Sequence, residues 1–310
     1  MYILTIISKK VIVVERFKKA KMASILGIIG NIFLFIIKII VGLITNSQAM
    51  VADAFNSASD IFSSFMTLIG NKIASTPSDD DHNLGHGKAE YIYSMLISIV
   101  MILLSYTVLK DSIITLFTPI KYKFSNWLIV VCLITIIVKF SLYLYTKNIA
   151  KKYNNLLVDA NSKDHRNDCV ITLFNLISCI LALLEIYIFD GIVGIGIAIW
   201  IGLTAVDIFK ESYDVLMDKS ISDETKKKVF EIIKSHNEIK KVIHFNSTPV
   251  GYKYQISFTI YVDGNLSTFE SHDIANKLEK EIDKKLDEIY LTVIHVNPIE
   301  IKNDKNNEKK

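Results

Sequence analysis

The sequence predicts a bundle of six membrane-spanning α-helices followed by a soluble α+β domain of αββαβ, ferredoxin-like order. Three observations carry this. Of 310 residues, 51% are apolar and 22% charged, and the mean hydropathy of +0.35 is high for a soluble chain. The apolar residues concentrate in the first two thirds, in six stretches long enough to cross a hydrocarbon core of about 30 Å. After Lys210 the pattern changes to short, charged, alternating segments, and no later run is long enough to span. Composition also excludes several classes. A formal net charge of +3 is too small to indicate nucleic acid as a partner. The apolar surplus excludes disorder. Cys132, Cys169 and Cys179 form no CxxC pair, giving neither a disulfide framework nor a thiolate zinc site.

The spans are expected at Ala23–Thr45, Ala49–Ala74, Tyr91–Leu109, Trp127–Tyr145, Ala160–Glu185 and Gly191–Val206. The third is free of charge between Glu90 and Lys110, whereas the second and fifth carry acidic residues near one end. Basic residues set the orientation. They gather in the N-terminal segment (Lys9, Lys10, Arg16, Lys18, Lys19, Lys21), around the second loop (Lys72, Lys88) and after the fourth span (Lys147, Lys151, Lys152). The other side has Lys110, Lys121 and Lys123 between spans three and four. Both termini are therefore expected in the cytoplasm, in a cell-membrane protein whose surroundings are lipid. Met1–Val14 has Lys9 and Lys10 inside an apolar start, the reverse of a secretory signal, and reads as an interfacial segment or loose leader.

In the soluble part, Asp223–Ser235 has helical periodicity with Ser222 as N-cap. Lys241–Asn246 and Tyr252–Asp263 alternate as strands around a turn with Pro249 and Gly251. Thr268–Glu288 is a charged helix with Ile274, Leu278, Ile282 and Leu286 at four-residue steps, and Tyr290–Val296 is a last strand. The expected organisation is a cytoplasmic segment at 1–20, a transmembrane domain at 21–209, a cytoplasmic domain at 210–300 and a polar, disordered tail at 301–310.

An Asp inside a span costs roughly 2.5–3.5 kcal/mol on insertion scales, so intramembrane acids usually face the bundle interior and serve transport. Asn56 and Asp60 stand four residues apart, as do Asp164 and Asp168, so each pair shares a helix face. The two pairs can surround one small cation with four oxygen-bearing side chains. Asp164, His165 and Arg166 read equally well as interfacial loop residues. In the segment Pro77–Lys88, Asp79, His82 and His86 lie at offsets of three and four, which lets carboxylate and imidazole converge on a divalent metal. A solvated turn is the plainer reading of that loop. Lys38 and Lys139 read as snorkelling or acid-paired, and Asn31 as an interhelical donor. Gly191, Gly194 and Gly196 read as close-packing positions.

The segments SQAMVADAFNSASDI, TPSDDDHNLGHGKAE and DANSKDHRNDCV, with SHDIANKLEK and VIHVNP further on, closely resemble the cation diffusion facilitator family of divalent-metal/proton antiporters. The resemblance runs from about Lys19 to Pro298. It implies an intramembrane transport site at Asn56, Asp60, Asp164 and Asp168, and a loop site at Asp79, His82 and His86. It also implies a homodimer joined through the cytoplasmic domain, where His244, His272 and His295 match places at which members bind regulatory metal. Ser257 and Asn297 stand where zinc-type members often have His and Asp. A further expectation is that Lys88 and Asp218 pair near the membrane–cytoplasm hinge.

Zinc members typically carry His at one or both first positions of the pairs, and this chain has Asn56 and Asp164. An all-oxygen shell suits harder ions such as Mn²⁺, while imidazole suits zinc. The set resembles the manganese branch, with Zn²⁺ and Fe²⁺ left open because His165 adjoins Asp164. The expected activity is export of Mn²⁺ against protons, with divalent metal as substrate and no organic cofactor. An intramembrane metallohydrolase lacks an HExxH motif or a paired nucleophile and base. A channel lacks a pore-loop signature. An ATP-driven pump lacks GxxxxGK[ST]. The chain is not expected to be an enzyme.

Overall fold

The computed structural model describes the backbone of residues 2–44, 48–117, 126–182 and 188–299. Side chains there are described from residue 15 onward, except at 48–53, 55, 56, 59, 115, 128, 175, 178–182, 188–191 and 193. Among the described residues, six long helices come first: α1 (Tyr2–Ile44), α2 (Gln48–Ala74), α3 (Ala89–Phe117), α4 (Asn126–Tyr153), α5 (Leu156–Ala182) and α6 (Ile188–Leu216). Then follow α7 (Asp223–Lys234), β1 (Lys241–Val250), β2 (Lys253–Asp263), α8 (Thr268–Lys285) and β3 (Ile289–Ile299). The helical bundle and the αββαβ order are those the sequence predicts.

Element ends differ in ways that have causes. The segment expected as a loose leader is helical from Tyr2, and α1 passes unbroken through position 20. Its 43 residues exceed the roughly 20 that a membrane requires. The break between α4 and α5 is confined to Asn154 and Asn155. Asn154 takes a left-handed backbone at φ 46°, and Asn155 caps α5 by accepting from Val158 N at 2.8 Å. Compact packing divides the chain into Met1–Tyr213 and Asp214–Lys310, slightly beyond position 209. The polar tail lies outside the described residues.

The first unit is apolar outside and polar inside. Along α2, Ser57, Asp60, Ser64, Thr67 and Asn71 recur at three- and four-residue steps and are all buried, while Phe62 and Phe65 are exposed. On α5, Asn161, Asp164, His165, Asn167, Asp168 and Thr172 are buried and Leu173 is exposed. A soluble bundle would reverse this arrangement; hydrocarbon around the outside requires it. The polar stripes explain why only Glu15–Ile44, Ala89–Ile114 and Ile129–Tyr153, among the described residues, are apolar enough to cross on composition alone. Close approach is built in by small residues. A methyl group on Gly70 would strike Leu157 of α5 and Tyr93 of α3, and one on Gly194 would strike Ser112. Gly196, by contrast, faces open space, so its expected packing role is not realised. Gly191 has no described side-chain environment.

The second unit is a three-stranded sheet in the order β1-β2-β3, with β1 antiparallel and β3 parallel to β2. Ile256, Phe258, Ile260 and Val262 alternate along β2 and join Val229, Ile232 and Ile233 of α7 and Ile274, Leu278 and Ile282 of α8 in one core. Both helices therefore cover the same sheet face. Ser222 caps α7, accepting from Thr225 N at 3.2 Å. Ser267 and Glu270 form a reciprocal capping box at the start of α8. Pro249 belongs to β1 rather than to the turn, which is Gly251 and Tyr252, with Gly251 at φ 61°. β1 carries a bulge between Ile243 and Asn246, where His244 sits at φ 54°.

Candidate metal centre

α2 supplies Asp60 and α5 supplies Asp164 and Asp168, one turn apart. One carboxylate oxygen from each lies within 4.8 Å of the others, and each residue is 4% exposed. A divalent cation at oxygen distances of about 2.0–2.6 Å needs its donors at such mutual separations. Asp164 Oδ2 and Asp168 Oδ1 are buried without a hydrogen-bond partner. Asn56 lies on α2 one turn before Asp60, and its side chain is outside the described residues.

The reading of Asp164, His165 and Arg166 as interfacial loop residues does not hold, since all three lie inside α5 and the first two are buried. His165 is fully buried but is not one of the clustered donors. It turns toward α1, where a methyl group on Gly27 would come within 3.4 Å of its Nε2 and 2.7 Å of Ser64 Oγ. Neither ring nitrogen of His165 has a partner. Asn31, expected as an interhelical donor, is buried with both amide atoms unpartnered. Arg166 stacks its guanidinium 4.2 Å from the Trp200 ring centroid and donates to Asn167 and Thr204 rather than to the carboxylates.

One residue of the cluster escaped identification from sequence as part of the site. Lys139, in the middle of α4, is 1% exposed, and its Nζ donates to Asp60 Oδ2 and to Asp168 Oδ2, at 2.6 Å each. Between the snorkelling and acid-paired readings, the structure decides for the pair. The available signal was a lysine flanked by Ile136, Ile137, Val138 and Phe140, with no nearby helix end to which it could extend. Lys38 of α1, also buried, donates to Ser57 Oγ at 3.1 Å, one turn before Asp60.

The loop between α2 and α3 brings its three residues together. Asp79 Oδ1 accepts from His82 N at 2.7 Å and stands 3.3 Å from His82 Nδ1, and its Oδ2 is 3.5 Å from His86 Nε2. The backbone hydrogen bond from His82 is the main cause holding the Asp79 carboxyl below the usual range. His86 Nδ1 lies 3.2 Å from Pro77 O. A carbonyl can only accept, so Nδ1 is the donor there, and Nε2 is the ring nitrogen that faces the cluster. Gly85, at φ 76°, turns the chain so that His86 can return. Carboxylate and imidazole donors lie within 4.8 Å of one another, which suits a divalent ion.

The cytoplasmic histidines are not brought together in this way. His244 stands exposed at the β1 bulge, His295 exposed on β3 opposite Thr259, and His272 exposed on α8 beside Asn276. Among the described residues, the clusters of three or more converging donors are the central and loop sets. Lys88 lies in the loop before α3. Asp218, at φ 56°, closes α6, where Lys219 N reaches Asp214 O as in a Schellman turn.

A buried acidic cluster inside a polar-cored, apolar-coated bundle defines a membrane protein that handles cations. Residues 24–217 match the family model for the cation efflux transmembrane domain, and residues 221–299 match that for the cation efflux cytoplasmic domain, a dimerisation domain. The chain belongs to the cation efflux, or cation diffusion facilitator, family. It is an integral membrane transporter that moves divalent cations outward, not an enzyme, and it dimerises. Similar proteins include the manganese efflux system proteins MneP and MneS of Bacillus subtilis. They are 28% identical over 92% of this chain and 98% of the relative, and 29% identical over 93% and 99%, respectively. The cation-efflux pump FieF of Shewanella oneidensis is 25% identical over 91% of this chain and 95% of its own.

Proposed function

We propose that this transporter exports Mn²⁺ from the cytoplasm in exchange for protons, through a site formed by Asn56, Asp60, Asp164 and Asp168. The observation that carries the metal is the donor set. Three carboxylates converge while His165, adjacent in sequence, faces α1. Oxygen donors favour a hard ion, and imidazole would have favoured zinc. The two similar proteins named for manganese efflux support the same choice. Exchange follows because cation and protons compete for the same carboxylate oxygens. A cytoplasm less acidic than the exterior loads metal inside and protons outside.

The protein would act as a homodimer in the cell membrane with both termini cytoplasmic. Asp79, His82 and His86 would form an accessory site outside the membrane. Its imidazoles keep Zn²⁺ and Fe²⁺ in view as alternative substrates or regulators. His244, His272 and His295 enter only as single accessory ligands, and Lys88 with Asp218 as a hinge pair that a cysteine cross-link at the two positions would test. The deciding experiment is transport by purified protein in proteoliposomes, comparing Mn²⁺, Zn²⁺, Fe²⁺, Co²⁺ and Cd²⁺ under an imposed pH gradient. Mn²⁺ should move fastest and against its own gradient. Equal rates without a pH gradient would refute manganese–proton exchange.

A further inference from the structure

Lys139 does not resemble a residue that merely fills space. Its ammonium lies at 2.6 Å from oxygens of two carboxylates that come from different helices, and the third carboxylate of the cluster is Asp164. Counted as ionised, these three carboxylates and Lys139 carry a formal charge of −2, with Lys38 a further buried cation at Ser57. A cation bridging Asp60 Oδ2 and Asp168 Oδ2 needs the lone pairs that Lys139 holds, and one taken up through the unpartnered Asp168 Oδ1 still meets the ammonium beside it. It would also stand within a few ångströms of a like charge in a site with little water. The ammonium and a divalent ion cannot both lie between those two oxygens.

We propose that Lys139 is a tethered counter-cation of the transport site, an exchangeable occupant that a divalent ion displaces and that re-enters when the ion leaves. This rests on the transport-site assignment above. It deepens that assignment by naming what metal competes with, on a helix that supplies no ligand. The long, flexible lysine stem allows the ammonium to withdraw along α4 without unfolding it. Displacement weakens resting affinity, and return of the ammonium hastens release. The residue thus sets the balance between holding the ion and letting it go.

The test uses full-length protein in nanodiscs, with Mn²⁺ binding followed by the loss of free-ion paramagnetic resonance. Transport is measured on the same preparations in liposomes. Lys139→Met should raise Mn²⁺ affinity about tenfold or more and lower the turnover rate. Because Lys139→Met removes the ammonium that pairs two of three buried carboxylates, its folding is at risk. The pair Asp60→Asn and Asp60→Asn/Lys139→Met therefore serves as a second comparison. In the double variant the formal charge returns to −2, and the added Lys139→Met change should again tighten binding relative to Asp60→Asn alone. Asp168→Asn separates the two claims. If it leaves Mn²⁺ binding intact, the transport-site assignment falls and the inference with it. If it abolishes binding while Lys139→Met binds Mn²⁺ no tighter than wild type, the site stands and the tethered counter-cation is refuted. Weaker binding by the double variant than by Asp60→Asn would refute it too, since Lys139 would then orient the carboxylates rather than compete for them.

Discussion

Arg16 Nη2 lies 2.5 Å from Glu90 Oε2, with both side chains 2% exposed. Glu90 also accepts from Leu156 N at the start of α5, while Arg16 donates to the carbonyls of Tyr153 and Asn154. One ion pair thus fastens α1, α3 and the α4–α5 break, and places a carboxylate at the positive end of the helix that carries Asp164 and Asp168. Glu90→Gln would remove the carboxylate that faces the buried Arg16 and should destabilise the protein by about 3–5 kcal/mol. Arg16→Met/Glu90→Gln should recover part of that loss, because no charge is left buried. Thermal unfolding in detergent reads both; equal loss in the single and double variants would show that the helix cap, not the ion pair, carries the stability.

Asp60→Asn and Asp168→Asn should each abolish Mn²⁺ transport. The amide keeps the shape of the side chain and removes one of the three negative charges that, among the described residues, make up the cluster. Alanine is the poorer test here. Each carboxylate also partners Lys139, so truncation would open a cavity beside a buried charge. Transport by either Asn variant at more than a tenth of the wild-type rate would remove that residue from the site.

The spacing of Asp164 and Asp168 was enough to put them on one helix face, and family resemblance fixed which other helix they meet. Sequence could not say whether α5 turns Asp164 or His165 toward Asp60, because a shift of one residue is smaller than the uncertainty in a helix boundary. The small stripe at Gly27 and Ser64, which receives His165, decides it. Lys139 stayed hidden because its partners are 79 and 29 residues away, and an isolated lysine in an apolar run has a simpler reading. The αββαβ domain was legible because its strands alternate and its helices carry caps. The bulge at His244 and the strand residues Pro249 and Pro298 went against local signals.

Replacing His82 and His86 by Ala should abolish metal binding at the loop and leave Mn²⁺ binding at the central site within about threefold of wild type, a difference of about 0.7 kcal/mol. The two clusters share no residue, and the loop donors are exposed or half-buried while the central ones are sealed. Titration of Zn²⁺ and Mn²⁺ into the variant counts the sites directly. Loss of the central site along with the loop would show that the two are not separate.

The cytoplasmic domain carries a pH dependence of known sign. Glu281 accepts from Lys285 at 2.6 Å and stands 2.9 Å from His236 Nε2, and these contacts, that with Lys285 first, hold its carboxyl below the usual range. A depressed carboxylate stabilises the fold above the unfolded value and loses that contribution as pH falls through the folded one. Glu281→Gln should therefore lower the stability of the domain slightly at pH 7, by under about 1 kcal/mol for so exposed a group. The difference from wild type should begin to shrink as pH falls below about 4.3, the value of a free glutamate, and should vanish only once pH has passed below the depressed folded value. Unfolding midpoints measured across that range check it, and a difference that persists in acid would assign the effect to packing.

Selectivity should be changed by one atom type at one position. Asp164 belongs to the carboxylate cluster, and its Oδ2 has no partner, so a nitrogen donor introduced there meets the ion rather than a neighbouring side chain. Asp164→His exchanges a hard oxygen for imidazole and removes one negative charge. Both changes favour Zn²⁺ over Mn²⁺, since Mn²⁺ gains less from nitrogen donors and more from charge. The Mn²⁺:Zn²⁺ rate ratio in proteoliposomes should fall by tenfold or more, equivalent to about 1.4 kcal/mol of relative binding. Removing the imidazole already present is the control. His165→Asn alters a side chain that faces Gly27 and Ser64 rather than the cluster, so it should leave the ratio unchanged. If Asp164→His leaves the ratio at its wild-type value, donor identity is not the filter. If His165→Asn shifts the ratio as much as Asp164→His does, the imidazole already present reaches the ion, and the all-oxygen reading of the site is wrong.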